Sequence, residues 1–226
     1  ENKIVKNLNI TAGTLTLGAC ELIVLGNVNV GTSTTSHCVI NVNKGYLECN
    51  NFASGRNGRI YMNDVNSYMK VKGNFTINSS REAYQLNAGV LEIGGNFTGN
   101  LYYDDRFIAG GTHKTILNGT GKQTLSFNDK QMCFNILEVE NTSEEGIYCD
   151  GAILARDFRT NGCNIDLNLE NGRFGWTLEE DEIFYGDLIL LGDTLDLNGH
   201  TLTINGNFIQ PCGNVVINGG MLDVTG

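Results

Sequence analysis

The chain has little proline, little positive charge and no long hydrophobic run. Its 226 residues include one proline, and 15 basic against 25 acidic residues give a net charge of −10. Phosphate binding needs a basic stripe, so the scattered lysines and arginines argue against a nucleic-acid partner, and against an anionic membrane surface. No run approaches the length of a membrane-spanning helix, and no amphipathic stretch has a helical period.

The N-terminal segment, ENKIVKNLNI, has neither an initiator methionine nor a signal-peptide pattern. We therefore expect a chain that is processed, or excised from something longer. No CxxC pair and no zinc-type spacing of cysteine and histidine occurs, which disfavours a metal site.

Glycine and asparagine are abundant instead. The sequence has 29 glycines and 30 asparagines, about a quarter of the chain, which suits a backbone that turns a corner every few residues. Between the corners lie short runs that alternate apolar and polar residues, the pattern of strands buried on one face. The clearest example is residues 193–226, with the pairs Leu195 and Leu197, Leu202 and Ile204, Val215 and Ile217, and Leu222 and Val224.

Two apolar slots recur along the first hundred residues with a spacing in the low twenties, and Gly-Asn follows three of the four pairs. The pairs are Leu22 and Val24, Leu47 and Cys49, Met69 and Val71, and Leu91 and Ile93. A repeat of this length with a glycine corner at one phase is typical of a coil of short strands. The sequence therefore predicts an all-β fold, a β-solenoid, as a right-handed parallel β-helix of about ten coils.

An antiparallel meander or sandwich is the alternative fold. Asn-Gly between two strands is also a strong hairpin signal, and it occurs at Asn198-Gly199 and Asn205-Gly206. The regular spacing and the short strands favour the solenoid, in which asparagines at the corners, such as Asn27, Asn74 and Asn96, would stack as side-chain ladders.

A longer repeat lies on top of the short one. With a shift of 180 residues, the segment around Leu8 to Asn27 matches the segment around Leu188 to Asn207. Beyond a loop of different length, residues 40–49 match residues 215–224. We interpret residues 1–226 as a single solenoid, with an internal unit of roughly 1–180 and the start of a second copy at about 181–226.

Several segments together resemble the repeat units of large secreted or surface-exposed β-solenoid proteins of Firmicutes, particularly clostridia. They are GTHKTILNGTGKQTLSF (111–127), FNILEV (134–139), WTL (176–178) and TLDLNGHTL (194–202). The resemblance covers most of the chain and implies an extracellular, non-catalytic array module. The cysteines depart from the usual pattern of such repeats, so a covalent role is open here that the resemblance does not imply.

Seven cysteines occur, an odd number that leaves at least one thiol unpaired within an extracellular chain or linked to another chain. Cys49 occupies an apolar slot and is predicted to be a core residue. The others are candidates for disulfides within the chain or between subunits: Cys20, Cys38, Cys133, Cys149, Cys163 and Cys212. Cys20 and Cys212 lie near the two ends of the coil, where a bond between subunits would form.

One loop is a candidate sugar-contact site, made of Tyr102, Tyr103, Asp104, Asp105 and Arg106. Aromatic rings stack on sugars and paired carboxylates can cleave glycosides, but adjacent residues of an extended segment face opposite ways, which favours a solvated loop. The acidic run Glu179 to Glu182 could bind calcium or be a plain solvated edge. The three histidines are too scattered for a catalytic triad, and no catalytic, cofactor or metal site is predicted.

Three functions follow as hypotheses. The first is an extracellular structural protein at the bacterial cell surface, a module that stacks end to end with copies of itself or with neighbouring solenoid repeats in a fibre or filament. The second is a carbohydrate-binding or carbohydrate-active β-helix that contacts surface polysaccharide. The third is calcium-dependent adhesion through the acidic run. No cofactor, nucleic acid or membrane insertion is predicted in any of them.

Overall fold

A computed structural model describes residues 2–32, 36–78, 84–99, 107–127, 132–150, 154–159, 161–163, 165–167, 175–178, 180–185, 188–190, 194–210 and 214–226. The described residues form strands and corners and contain no helix. The strands of the first half are β1 (Lys3–Val5), β2 (Leu8–Ile10), β3 (Gly13–Thr16), β4 (Glu21–Val30), β5 (Cys38–Asn41), β6 (Tyr46–Ser54), β7 (Gly58–Met62), β8 (Tyr68–Val71), β9 (Phe75–Ile77), β10 (Tyr84–Leu86), β11 (Val90–Ile93), β12 (Phe97–Gly99) and β13 (Phe107–Ile108).

The remaining strands lie in the second half. They are β14 (Lys114–Leu117), β15 (Gln123–Phe127), β16 (Met132–Val139), β17 (Ile147–Asp150), β18 (Leu154–Arg159), β19 (Ile165–Leu167), β20 (Gly175–Thr177), β21 (Glu182–Tyr185), β22 (Leu188–Ile189), β23 (Thr194–Asp196), β24 (Thr201–Asn205), β25 (Phe208–Ile209), β26 (Asn214–Val216) and β27 (Met221–Val224).

Every strand pair among the described residues is parallel, which confirms the solenoid and excludes the antiparallel meander there. The largest sheet has 15 strands and joins two faces of the coil, because β4 and β6 each run around a corner. The first face stacks the start of β4 and of β6 with β8, β11 and β14, and the second stacks their ends with β9, β12 and β15. A third face stacks β3, β5, β7 and β10.

The register of the first face is the one that the short repeat predicts. Leu22 pairs with Leu47, Leu47 with Met69, and Met69 with Leu91. All four side chains point inward and are buried. The stack comprises about eight turns, slightly fewer than the ten or so predicted, because the turns do not all have the length of 22 residues.

Apolar side chains from successive turns stack inside the coil. On the second face, Phe52, Phe75 and Phe97 follow one another in register and are fully buried. The rings of Phe52 and Phe75 are stacked with centroids 5.1 Å apart, and Phe75 and Phe97 meet edge to face at 4.9 Å. Aromatic pairs in these geometries contribute beyond the area that they bury, so this column ties successive turns together.

The core is in two parts. The larger cluster runs from Ile10 to Ala155, with Ile165 packed against it, and the smaller one runs from Leu178 to Ile204. The smaller cluster lies inside three short ladders, which join β20, β23 and β26, then β21, β24 and β27, then β22 and β25. Strand β18 contacts β21 and β22. A second sequence unit starting at about residue 181 stays a prediction.

Candidate functional site

The Gly-Asn corners carry a ladder of asparagines between the first and second faces. The backbone N–H of Asn74 donates to Oδ1 of Asn51 (2.8 Å), and that of Asn96 donates to Oδ1 of Asn74 (2.9 Å). Asn51 in turn donates from Nδ2 to Oδ1 of Asn27 (3.0 Å). The predicted ladder of stacked asparagines is confirmed. Most of its hydrogen bonds join the side-chain oxygen of one asparagine to the backbone N–H of the next, and fewer join two side chains.

A network of tyrosine, glutamate and lysine covers the outer surface of the first face. The Glu92 carboxylate accepts hydrogen bonds from the hydroxyl of Tyr68 (2.5 Å) and Nδ2 of Asn118 (2.6 Å), and Lys70 Nζ lies 2.8 Å away. Two turns earlier, Glu48 accepts from the hydroxyl of Tyr46 (2.7 Å) and pairs with Lys72 at 2.5 Å. Each network links side chains from different turns, so it clamps the coil from outside.

These carboxylates are held in the ionised form. Burial disfavours ionisation of Glu92, but the hydrogen bonds from Lys70, Tyr68 and Asn118 outweigh it and lower its pKa. The hydrogen bond from Lys72 is the largest of the effects that lower the pKa of Glu48. Glycoside cleavage by two carboxyl groups needs one with a raised pKa. This pair therefore suits turn-to-turn clamping and not acid catalysis.

Two tyrosines of the same surface stabilise this network through ring stacking and hydrogen bonds. The rings of Tyr46 and Tyr68 are stacked with centroids 5.6 Å apart. Burial, together with the neighbouring carboxylates, raises the pKa of both phenols, so both stay protonated and remain donors. Sequence reasoning missed this network, because its members become neighbours only when strands from different turns stack.

The cysteines have varied surroundings. Cys49 is buried in the core, as predicted, and burial raises its pKa to about 12. Cys38 is buried and is a free thiol, and Cys163 is a half-buried free thiol whose Sγ lies 3.0 Å from the carbonyl oxygen of Asn141. Cys149 is buried and Cys20 half-buried.

Cys133 lies in β16 and pairs with Leu154. Cys212 lies outside the described residues. A bond between subunits stays a prediction.

The other predicted site residues are partly or wholly outside the described structure. The sugar-contact loop, Tyr102 to Arg106, lies outside it, as does Glu179 of the acidic run. Asp181 accepts a hydrogen bond from the N–H of Thr201 (2.8 Å), and its carboxylate lies 3.7 Å from Nδ1 of His200. Among the residues that are described, no group of three or more His, Cys, Asp or Glu side chains could hold a metal ion.

His113 is the one histidine that is fully buried. Its Nδ1 lies 3.0 Å from the carbonyl oxygen of Ala88, and its Nε2 has no hydrogen-bond partner. Burial lowers its pKa to about 4, so the ring is neutral at pH 7 with the proton on Nδ1.

The last turn leaves inward-facing side chains uncovered, and this edge is our candidate functional site. Val224 pairs with Ile204 and Leu222 pairs with Leu202. Ile204 and Leu202 are fully buried, whereas Val224 is 40% exposed and Leu222 is half-buried. Met221 is exposed on the outer surface of the same strand. The edge therefore combines apolar side chains with the polar backbone of a strand.

Comparison with protein-family models, curated protein sequences and solved structures returned no match for this chain. In the part of the chain that the structure describes, no helical segment is long and apolar enough to cross a bilayer.

Proposed function

We propose that the chain is a non-catalytic structural module of an extracellular fibre or filament, in which β-solenoids stack end to end. The observation that carries the proposal is the parallel stacking of the turns, in which Leu47 and Cys49 of β6 are fully buried under Met69 and Val71 of β8. An exposed strand edge is a template for pairing with another strand. A solenoid turn buries its apolar face only against its neighbours, so a stack of this kind is extended by the addition of further turns.

The edge of the first turn also has partly exposed apolar side chains, but it carries a charged residue among them. Val5 and Leu8 are half-buried, while their partners Val24 and Val28 in the next turn are buried. Lys3, however, pairs with Leu22 and so stands in the inward register. Inward-pointing charge at an edge limits strand pairing.

Three features support an extracellular location at the bacterial cell surface. The net charge is −10, which favours solubility without binding to nucleic acid, the surface of the first face is a dense polar network, and the sequence resembles surface-exposed solenoid repeats of Firmicutes. Proteolytic shaving of intact source cells, followed by mass spectrometry of the released peptides, tests the location. Peptides from this chain are expected in the shaved fraction, and their recovery only after lysis contradicts it.

Sedimentation velocity of the purified chain over a concentration series tests the stacking. We expect species larger than one chain that grow with concentration, and their loss in the variant Val224→Lys, because a charge would then face the incoming turn. Met221→Lys is the matched control, since Met221 lies in the same strand but points outward. A single monomeric species at all concentrations, or equal assembly by both variants, contradicts the proposal. Polysaccharide binding by such monomers would favour the carbohydrate alternative.

A further inference from the structure

A lysine amine and an asparagine amide meet at one carboxylate oxygen on the outer surface of the first face. Oε1 of Glu92, on β11, lies 2.8 Å from Nζ of Lys70 on β8, and it accepts a hydrogen bond from Nδ2 of Asn118, directly after β14, at 2.6 Å. Strand β11 pairs with β8 on one side and β14 on the other, so the outer two strands are about 10 Å apart. The carboxylate brings the amine and the amide together across this gap.

Glu92 is fixed in place and is largely removed from water. Its second oxygen, Oε2, accepts a hydrogen bond from the hydroxyl of Tyr68 at 2.5 Å, and its side chain is 8% exposed. Its pKa is lowered, so the carboxyl is ionised and can accept a proton. A carboxylate in contact with two nitrogen atoms can take a proton from one and give it to the other. Reacting groups that are held in contact in this way react faster than free ones.

The side reaction that is common at Asn-Gly pairs is disfavoured at this position. In such pairs the backbone nitrogen of the glycine attacks the amide carbon of the asparagine side chain and closes a ring. Here the N–H of Gly119 donates to Oε1 of Gln123 at 2.6 Å. The amide of Gln123 is itself fixed by hydrogen bonds to the carbonyls of Ile93 (3.0 Å) and Gly95 (2.7 Å). The amide carbon of Asn118 is thereby left to the lysine.

We propose that Lys70 and Asn118 form an isopeptide bond within the chain, with Glu92 as the group that transfers the proton. The side chain of Lys70 is 36% exposed, so its ammonium can lose one proton to water, and the electron pair on Nζ then forms a bond to Cγ of Asn118. Glu92 removes a second proton from Nζ and passes it to Nδ2, which leaves as ammonia when its bond to Cγ breaks. One amide bond is made and one is broken, and no group is oxidised or reduced.

The bond goes beyond the proposed function, because it does not depend on stacking between chains. It joins β8 to the residue after β14 and so fastens three successive turns, which stabilises the coil against being pulled apart along its axis. Glu48 provides an internal comparison, since it contacts Lys72 and Tyr46 much as Glu92 contacts a lysine and a tyrosine. Glu92 has, in addition, the amide of Asn118.

Mass spectrometry of the purified chain tests the bond. We expect an intact mass that is lower than that of the sequence by one ammonia. We also expect a tryptic peptide in which residues 60–72 are joined to residues 115–122, because trypsin does not cleave after an acylated lysine. Lys70→Arg and Asn118→Ala should each lack the joined peptide. Lys72→Arg is the matched control and should keep it, since that lysine lies outside the site.

The variant Glu92→Gln tests the proton transfer. It should form the joined peptide about a hundredfold more slowly than the wild type or slower still, and circular dichroism confirms that each variant is folded. A wild-type chain with the full mass of its sequence overturns the inference, and so does a loss of ammonia that persists in Lys70→Arg, which would come from ring closure at Asn118. Equal rates in wild type and Glu92→Gln overturn the role of Glu92. All of these outcomes are read from single chains, so they are independent of assembly measured by sedimentation.

Discussion

At the scale of single residues, the Gly-Asn corner explains why the sequence is rich in both residue types. The asparagine side chain of one turn accepts a hydrogen bond from the backbone of the next turn, as between Asn74 and Asn96. That side chain then fills the space above its own corner, and the residue stacked there has no room for a Cβ. A Cβ on Gly95 would lie 2.6 Å from Oδ1 of Asn74. It would also lie 2.5 Å from the backbone carbon of Gly73, so this corner requires glycine both for the asparagine side chain and for the backbone of the turn below.

The substitution Gly95→Ala tests this steric coupling. We expect it to lower the free energy of unfolding by about 1–3 kcal/mol, since the methyl group must displace the Asn74 side chain or the backbone of Gly73. Chemical denaturation monitored by circular dichroism measures the change. Gly121→Ala is the matched control, because a Cβ there meets nothing within 4 Å, and its effect should stay within about 0.5 kcal/mol. Equal stability of both variants contradicts the account.

Buried His113 makes stability depend on pH. Its pKa is about 4 in the folded chain, lowered from the ordinary value of 6.5 by burial. Through this histidine the unfolded chain binds more protons between these two values, so the contribution of His113 to stability falls as the pH is lowered from 6.5 to about 4 and changes no further below that. The loss is on the order of 3 kcal/mol.

Denaturation of wild type and His113→Leu between pH 4 and 8 measures this contribution. The wild type should lose stability across the window relative to the variant, whereas His37→Gln, at an exposed site, should follow the wild type. Glu48, Glu92 and Glu138 have lowered pKa values, so their stabilisation is lost only below about pH 4.5. Parallel curves for wild type and His113→Leu above that pH would rule out the role given to the ring.

At the scale of strands, the outer surface of the first face holds neighbouring turns together through Glu92. This carboxylate receives one bond from β8, through Tyr68, and another from the residue after β14, Asn118. It also pairs with Lys70. A single side chain on β11 thus links the turns on both sides of it, while its own side chain is 8% exposed.

Replacement of Glu92 by alanine leaves these donors without their acceptor. We expect a loss of about 1–3 kcal/mol in the free energy of unfolding, the range for hydrogen bonds to charged groups, with allowance for the partial exposure of Lys70. Glu140→Ala, at an exposed position, is the control and should change little. Thermal melts followed by circular dichroism compare the two, and equal melting temperatures would show that the network does not clamp the turns.

The register of strands could be predicted from the sequence, whereas the contacts between side chains of different turns could not. The sequence shows which apolar residues point inward, through their period of two along each strand, and which of them stack, through the spacing between turns. Together these two patterns place four residues in one inward column: Leu22, Leu47, Met69 and Leu91. The outer network escaped prediction, since polar residues occur at most outward positions and carry no distinctive pattern. The burial of His113 escaped it too, because a corner residue turns inward or outward according to the turns stacked on it.

At the scale of the whole molecule, the chain is a stack whose ends differ. The first turn carries Lys3 in the inward register, while the last turn carries Leu222 and Val224 there. Between the ends, the core divides into a long and a short cluster. A stack of this kind has no preferred length, since each turn contacts only its neighbours. End-to-end assembly therefore needs no surface beyond the turns themselves.

Electron microscopy of the purified chain and of the native material tests this central claim most directly. A main stack of about eight turns, with strands about 4.8 Å apart, is about 40 Å long. The account predicts unbranched rods many times that length, with a repeat of about 4.8 Å along the rod axis, and their loss in Val224→Lys. Discrete particles of single-chain size in both preparations, at every concentration, would contradict it.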